Sequence, residues 1–222
     1  MLKMLARRRY SRSPIQLPLY HRTRMAGEAG TGVGWTRSLS ERGACVELAG
    51  LLHRQAPLRI HLQTDRGPIT MRAQVVWAGD PPHADVGVPY GVAFTEIDPD
   101  QQQALWNLVY RRGDRAHAGV RLPFEVPVTC RRDGEQVGPA LEGSTGDASR
   151  GGLSLLLPEL LPCGTHLDLT LHTTAGPLVM KGEVVWAESP GARLLGPPYR
   201  HGFQFAGVGW STMLSLGLLL VE

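Results

Sequence analysis

An internal repeat limits the possible folds of this 222-residue chain more than any other feature of its sequence. Residues 75–78 (Val-Val-Trp-Ala) recur at 184–187. The same offset aligns Arg12 with Arg121, Pro14 with Pro123, Pro18 with Pro127, Ser40 with Ser149, Gly43 with Gly152, and Pro89-Tyr90 with Pro198-Tyr199. The second copy then gains two residues, so that Gly91 aligns with Gly202. The chain is therefore predicted to contain two copies of one domain, over residues 1–112 and 113–222.

Each copy has the pattern of a β domain. Apolar and polar residues alternate from Leu58 to Leu62 and from Leu167 to Leu171, which indicates strands with one buried face. Gly-Pro and Asp-Gly pairs separate these runs as turns do. We predict a mainly β fold in which each copy forms a small barrel or sandwich of about six strands. Trp77 and Trp186, at equivalent positions in two strands, are expected to lie in the core.

A helix is predicted after each set of strands. Asp98 is a good N-cap, Pro99 suits the first helical position, and one apolar face follows from Leu105, Leu108 and Val109. The equivalent stretch of the second copy, 211–221, is more apolar. We expect it to be buried between the domains or in a homodimer.

The composition excludes several classes of protein. Arginine supplies nearly all the positive charge, but the formal net charge is only +3, which is small for bulk nucleic-acid binding. It leaves room for a local arginine cluster that binds a small anion. Three widely spaced cysteines argue against a disulfide framework or a zinc site and favour a cytoplasmic protein. The apolar tail is far shorter than the ~20 residues that span a bilayer.

No arrangement of residues in the sequence suggests catalysis or metal binding. We find no Ser/His/Asp set and no paired carboxylates at matching places in the two copies. His166 and His172 share one side of a predicted strand, but a third metal ligand is missing. We therefore expect neither an enzyme nor a resident metal or cofactor.

Two short motifs indicate a family. Arg8 and Arg12 form an R-x-x-x-R pair, and Ser40 and Gly43 follow as Ser-x-x-Gly. The second copy contains Asp147-Ala-Ser-Arg-Gly-Gly152. With the Val-Val-Trp strand and the terminal helix, these motifs resemble the PilZ domain, whose motifs are R-x-x-x-R and (D/N)-x-S-x-x-G. The resemblance covers nearly the whole chain. It implies two six-stranded barrels in tandem, each followed by a C-terminal helix, that bind the bacterial second messenger cyclic di-GMP.

The chemistry of these residue types suits such a ligand. Arginine can bind a phosphate or the O6/N7 edge of guanine with two parallel hydrogen bonds, and it can stack on a purine. An Asp in a tight turn can accept hydrogen bonds from the N1–H and N2–H₂ edge of guanine. The serine supplies a hydroxyl, and the glycine is expected to permit a backbone conformation that brings the turn close to the ligand.

The two copies depart from the family pattern in complementary ways. The first keeps both arginines but has Ser38 in place of Asp or Asn, whereas the second keeps its turn but has His117 in place of the first arginine. Arg111 and Arg115 form a displaced R-x-x-x-R that could replace it. We expect the second copy to be the better site, formed by Arg111, Arg115, Arg121, Asp147, Ser149 and Gly152. A second or weaker site is expected from Arg8, Arg12, Ser38, Ser40 and Gly43.

The favoured function is a non-enzymatic cyclic di-GMP receptor in which the ligand changes the arrangement of the two domains. The resemblance implies a downstream protein partner in motility, polysaccharide export or transcription. The alternative is a degenerate tandem PilZ adaptor that binds protein partners without nucleotide. Direct nucleic-acid binding is less favoured, since it predicts a steep salt dependence over many phosphates, and cyclic di-GMP has two.

Overall fold

The computed structural model of the chain describes residues 12–25, 28–80, 86–110, 120–133, 140–188 and 196–221. Contacts divide the chain into two compact units, Met1–Val120 and Arg121–Glu222. Each unit is a closed antiparallel barrel followed by one helix. Neither of the helices in the described residues is long and apolar enough to cross a membrane.

The first unit is a six-stranded barrel. Its elements are β1 (Pro18–Met25), β2 (Glu28–Ser40), β3 (Gly43–Leu48), β4 (Pro57–Leu62), β5 (Ile69–Ala78), β6 (Val88–Glu96) and α1 (Pro99–Tyr110). The strands follow the order β1-β2-β3-β6-β5-β4, and β4 pairs with β1 to close the barrel. An isolated bridge between Ser13 and Leu39 ties the segment before β1 to β2.

The second unit repeats this architecture. Its elements are β7 (Leu122–Pro123), β8 (Pro127–Arg132), β9 (Leu141–Ser149), β10 (Gly152–Leu157), β11 (His166–Thr173), β12 (Gly176–Ala187), β13 (Tyr199–Ala206) and α2 (Trp210–Val221). The order β10-β13-β12-β11-β8-β9 is closed by the pairing of β9 with β10. The short β7 adds to β9, where the first unit has its isolated bridge. The prediction of two six-stranded barrels, each with a terminal helix, is confirmed.

Alternation along the strands forms the core, as the sequence predicts. Leu58, Ile60 and Leu62 of β4 are buried, and so are Leu167, Leu169 and Leu171 of β11. Burying one such side chain fully stabilises the fold by about 1.5–3 kcal/mol. The predicted apolar face of α1 is also buried. The helix starts at Pro99, and the Gln102 N–H donates to the Asp98 carbonyl.

The expectation that Trp77 and Trp186 lie in the core is wrong. They are 41% and 49% exposed, because the strand pairing shifts at Val76 and Val185, the residues just before them. Such a β-bulge adds one residue and reverses the inside–outside alternation beyond it. The Trp77 ring instead covers Gly91, where an added Cβ would lie 1.9 Å from the indole nitrogen.

The structure describes all three cysteines, and none forms a disulfide. Cys163 is exposed and Cys45 is half-buried. Burial raises the pKa of the Cys130 thiol to about 12, so this thiol stays protonated at neutral pH.

Candidate functional site

The second unit holds Asp147 between two neighbouring strands. Asp147 pairs with Pro123 of β7 on one side. On the other side, the pairing of β9 with β10 shifts between Leu153 and Leu155, which makes a β-bulge at this place. The Asp147 N–H donates to the Ser154 hydroxyl of β10 over 2.9 Å. The backbone around the carboxylate is therefore fixed from both sides.

Each oxygen of the Asp147 carboxylate accepts a hydrogen bond from a different guanidinium group. Arg121 Nη1 lies 2.8 Å from Oδ1, and Arg200 Nη2 lies 2.6 Å from Oδ2. The Asp147 side chain is 18% exposed, against 45% for Arg121 and 47% for Arg200. The structure thus brings together two residues that the sequence predicts, Arg121 and Asp147, and adds a third.

These contacts keep Asp147 ionised. Burial acts to raise the pKa of its carboxyl group, but the hydrogen bond and charge of Arg121 outweigh that effect, with help from Ser154 and Arg200. The net result is a pKa below the ordinary Asp value. At neutral pH the residue is an acceptor-only anion beside two cationic groups that still reach solvent.

The Ser-x-x-Gly turns have a structural role in both units. Ser149 Oγ donates to the Gly152 carbonyl over 3.1 Å, and Ser40 Oγ donates to the Gly43 carbonyl over 3.0 Å. These hydrogen bonds close the turns that join β9 to β10 and β2 to β3. The serine oxygen can still accept a hydrogen bond in this arrangement.

The expected reason for the glycine of this motif needs correction. Gly43 and Gly152 do not have a positive φ. An added Cβ at Gly152 would lie 2.2 Å from the Phe203 carbonyl oxygen, and one at Gly43 would lie 2.3 Å from that of Val92. The glycine is needed because the backbone of the next strand passes directly over it, not because the turn has a special conformation.

The first unit places its motif residues in the same way. Ser38 follows a shift in the β2–β3 pairing, as Asp147 lies at the shift in β9. The bridge from Ser13 to Leu39 puts Arg12 beside Ser40 in the antiparallel register. Arg8, Arg111, Arg115 and His117 lie outside the described residues.

Arg200 is the site residue that sequence reasoning missed. The register makes Arg200 equivalent to Pro89, since Gly79 N–H donates to the Pro89 carbonyl and Glu188 N–H donates to that of Arg200. The next residues, Tyr90 and His201, are equivalent too. Leu52 N–H donates to the Tyr90 hydroxyl over 2.9 Å, and Leu161 N–H donates to His201 Nε2 over 2.9 Å.

The alignment of Pro89-Tyr90 with Pro198-Tyr199 is therefore wrong within this strand. The two extra residues of the second copy lie before it, between Glu188 and Tyr199. A strand tolerates an extra residue only as a bulge, so the gap belongs in the connecting segment. Counting back from Gly202, which aligns with Gly91, would have identified Arg200 from the sequence.

The first unit consequently lacks a charged pair and not only a carboxylate. Ser38 takes the place of Asp147, and Pro89 takes the place of Arg200. Cys45 stands where Ser154 accepts the Asp147 N–H.

The part of the chain that the structure describes contains no candidate metal site. No group of three or more His, Cys, Asp or Glu side chains there could hold a metal ion. His172 Nε2 instead lies 2.7 Å from the Thr129 hydroxyl.

These features define the class of protein. The chain consists of two β-barrels in tandem, and the second supports an acidic turn and two guanidinium groups that reach solvent. The family follows from the sequence: residues 6–111 and 112–209 each match the PilZ domain. The chain belongs to the PilZ family and contains two PilZ domains in tandem. Proteins of this family are receptors and effectors, not enzymes.

Several solved structures are similar in fold. The PilZ domain of YcgR from Escherichia coli with c-di-GMP is 20% identical, with 50% of this chain and 97% of that chain covered and a TM-score of 0.42. MotI/DgrA, an inhibitor of motility from Bacillus subtilis, is 9% identical, with 93% and 95% covered and a TM-score of 0.37. The MrkH–c-di-GMP complex of K. pneumonia is 13% identical, with 91% and 86% covered and a TM-score of 0.35. No curated protein matches the sequence significantly.

Proposed function

We propose that this protein is a non-enzymatic receptor for cyclic di-GMP and that its better site lies in the second PilZ domain. The observation that carries the proposal is the Asp147 carboxylate held between Arg121 and Arg200 beside a PilZ turn. The YcgR PilZ domain and MrkH structures are complexes with c-di-GMP, which supports the choice of ligand.

Binding would exchange the partners of Asp147. The guanine edge presents N1–H and N2–H₂ donors, and a carboxylate can accept from both. Arg121 and Arg200 would turn from the carboxylate to the two phosphates, where they form charge-assisted hydrogen bonds of similar strength. Both side chains are about half exposed, so this movement costs little packing.

The remaining predicted residues have supporting roles in the proposal. Arg111 and Arg115 would supply further guanidinium groups to the second site, with Ser149 and Gly152 shaping its turn. Arg8, Arg12, Ser38, Ser40 and Gly43 would form a weaker site in the first domain. Ser38 is neutral, and the hydrogen bonds it can accept are weaker than those to a carboxylate.

The proposed output is a change in how the two domains are arranged, which a downstream protein partner in the cytoplasm would sense. The regulated process would be motility, polysaccharide export or transcription.

Calorimetric titration of the full chain with cyclic di-GMP tests this function. GTP and cyclic di-AMP serve as ligand controls. We expect saturable binding of cyclic di-GMP alone, weakened about 10- to 100-fold by Asp147→Ala, which removes a charged acceptor. Arg12→Ala should change the affinity less. Equal affinity for all three ligands, or no effect of either substitution, would overturn the assignment.

One observation favours a second function, that of an adaptor which binds protein partners without nucleotide. The first domain has lost both Asp147 and Arg200 equivalents while its barrel is intact. If the second domain does not bind nucleotide either, a saturating concentration of cyclic di-GMP will produce neither a heat signal nor a change in the melting temperature of the chain.

A further inference from the structure

Three arginines lie side by side on the outer face of the first barrel. Arg22 of β1 pairs with Arg59 of β4, and Arg59 pairs with Arg72 of β5. All three are exposed, and the residues that flank Arg59 in its strand, Leu58 and Ile60, are buried. We call Arg22, Arg59 and Arg72 the arginine row.

Such a row is unfavourable for the barrel by itself. Side chains directly opposite one another on adjacent antiparallel strands have Cβ atoms about 4.5–5.5 Å apart, and like charges at these positions destabilise a sheet. Arg72 is paired with Glu96 over 3.0 Å. Among the residues that the structure describes, Arg22 and Arg59 have no carboxylate partner.

The second barrel gives a direct comparison. The same three positions hold Arg131, Asp168 and Lys181, paired in the same register. Lys181 Nζ lies 2.9 Å from Asp168 Oδ1. The central position of the row in the second barrel is therefore a carboxylate that pairs with Lys181, whereas the first barrel has a third cation at that position.

The Tyr20 and His61 side chains lie next to the arginine row and interact with its positive charges. Arg22 Nε donates to the Tyr20 hydroxyl over 2.8 Å, and its guanidinium lies 5.4 Å from the centre of the tyrosine ring. That contact fixes Arg22 on the surface. The His61 ring lies beside Tyr20, and its pKa is lowered by burial and then by the charges of Arg59 and Arg22.

We propose that the arginine row is a docking surface for an extended acidic segment of a partner protein, whose carboxylate lies against Arg59 as Asp168 lies against Lys181. In an extended segment, alternate side chains point to one side about 6.6–6.8 Å apart, so that two carboxylates can reach Arg22 and Arg59 together. Arginine binds carboxylates with two parallel hydrogen bonds, which suits recognition of such a segment.

The second barrel favours a carboxylate partner over a nucleic acid. In the second barrel, the central position of the equivalent row is occupied by the single carboxylate of Asp168, which neutralises positive charge. A nucleic-acid surface would need many phosphate contacts, and the row leaves only two arginines without a carboxylate among the described residues.

Fluorescence anisotropy with a labelled hexapeptide of alternating threonine and glutamate tests the proposal on the full chain. The glutamine version of the peptide and a single-stranded oligothymidine are the probes for comparison. We expect salt-sensitive binding of the glutamate peptide and a loss of at least about 10-fold with Arg59→Asp, which removes a charge-assisted contact and adds a repulsive one. Arg59→Gln should give a smaller loss.

The folded state of the key variant can be checked by its melting temperature. Arg59→Asp recreates the charge order of the second barrel, so we expect the melting temperature to rise by on the order of a few degrees. Asp168→Arg is the matched converse and should lower the melting temperature and add peptide binding.

Three results would overturn the proposal. These are equal binding of both peptides, an Arg59→Asp variant that binds as the parent does, and tighter binding of the oligothymidine that Arg59→Asp abolishes. Cyclic di-GMP affinity should be the same in the parent and in Arg59→Asp. This comparison keeps the docking surface separate from the nucleotide site.

Discussion

Replacing Asp147 with serine gives the second domain the residue that the first domain has at this position. Two ion pairs are lost, but both arginines are nearly half exposed and can be hydrated again. Exposed pairs are worth about 0.2–1 kcal/mol each, so we expect a stability loss on the order of 1 kcal/mol. For a domain of this size that corresponds to about 4–8 °C in melting temperature.

The effect of Asp147→Ser on ligand affinity should be larger than its effect on stability. Hydrogen bonds to a charged group contribute about 1.5–3 kcal/mol, so cyclic di-GMP should bind about 10- to 100-fold more weakly. Typical domains are stable by about 5–15 kcal/mol, so the variant stays folded during the calorimetric titration. The weaker binding can then be attributed to the site.

Asp168→Ser is the matched control in the same barrel. It removes a carboxylate paired with Lys181 over 2.9 Å, away from the turn. It should reduce stability by a comparable small amount and leave the Kd unchanged. An Asp147→Ser variant within about 3-fold of the parent affinity, or an equal loss in Asp168→Ser, would refute the role given to Asp147.

The pH dependence of stability gives an independent check on Asp147. Its pKa is lowered in the folded state, so its contribution is present above the unfolded Asp value of about 4 and is lost as pH falls through the folded pKa. The difference in unfolding free energy between parent and Asp147→Ser should therefore be constant near neutral pH and shrink below about pH 4.

Three further predictions concern the barrel. Gly152→Ala should lower stability by about 1–3 kcal/mol in chemical denaturation, because its Cβ would lie 2.2 Å from a backbone oxygen of the next strand. Burial lowers the pKa of His201, so its stabilising contribution is lost as pH falls below the ordinary value of 6.5. His201→Tyr should therefore lose less stability than the parent between pH 8 and pH 5. A thiol reagent should label Cys163 rapidly and Cys130 only on unfolding, and rapid labelling of Cys130 would contradict its burial.

The barrel and its helices could be predicted because they depend on periodic patterns that the repeat shows twice. Alternation at Leu58–Leu62 and the capped helix after Asp98 were confirmed for that reason. The side on which Trp77 and Trp186 lie depends on strand register instead. The bulge at Val76 reverses the side on which Trp77 lies, and no residue type marks a bulge reliably in one sequence.

The candidate site was predictable only in the part that lies in contiguous motifs. Asp147 and Arg121 belong to such motifs, and the structure places them 2.8 Å apart. Their roles in ligand binding stay predictions. Arg200 comes from a strand that is distant in sequence, and its equivalence to Pro89 appears only when the two-residue gap is placed before that strand, as the strand pairing requires. The roles of Arg8, Arg111 and Arg115 stay predictions.

Because two positions differ together at the turn, no single substitution gives the first domain the site of the second. Restoring Asp at position 38 alone would add a carboxylate that lacks the counterpart of Arg200, since Pro89 supplies no charge and no N–H donor. Restoring Arg at position 89 alone would add a cation without its acid. Only the double change recovers the whole arrangement, so the sites of the two domains differ by a coupled pair of residues.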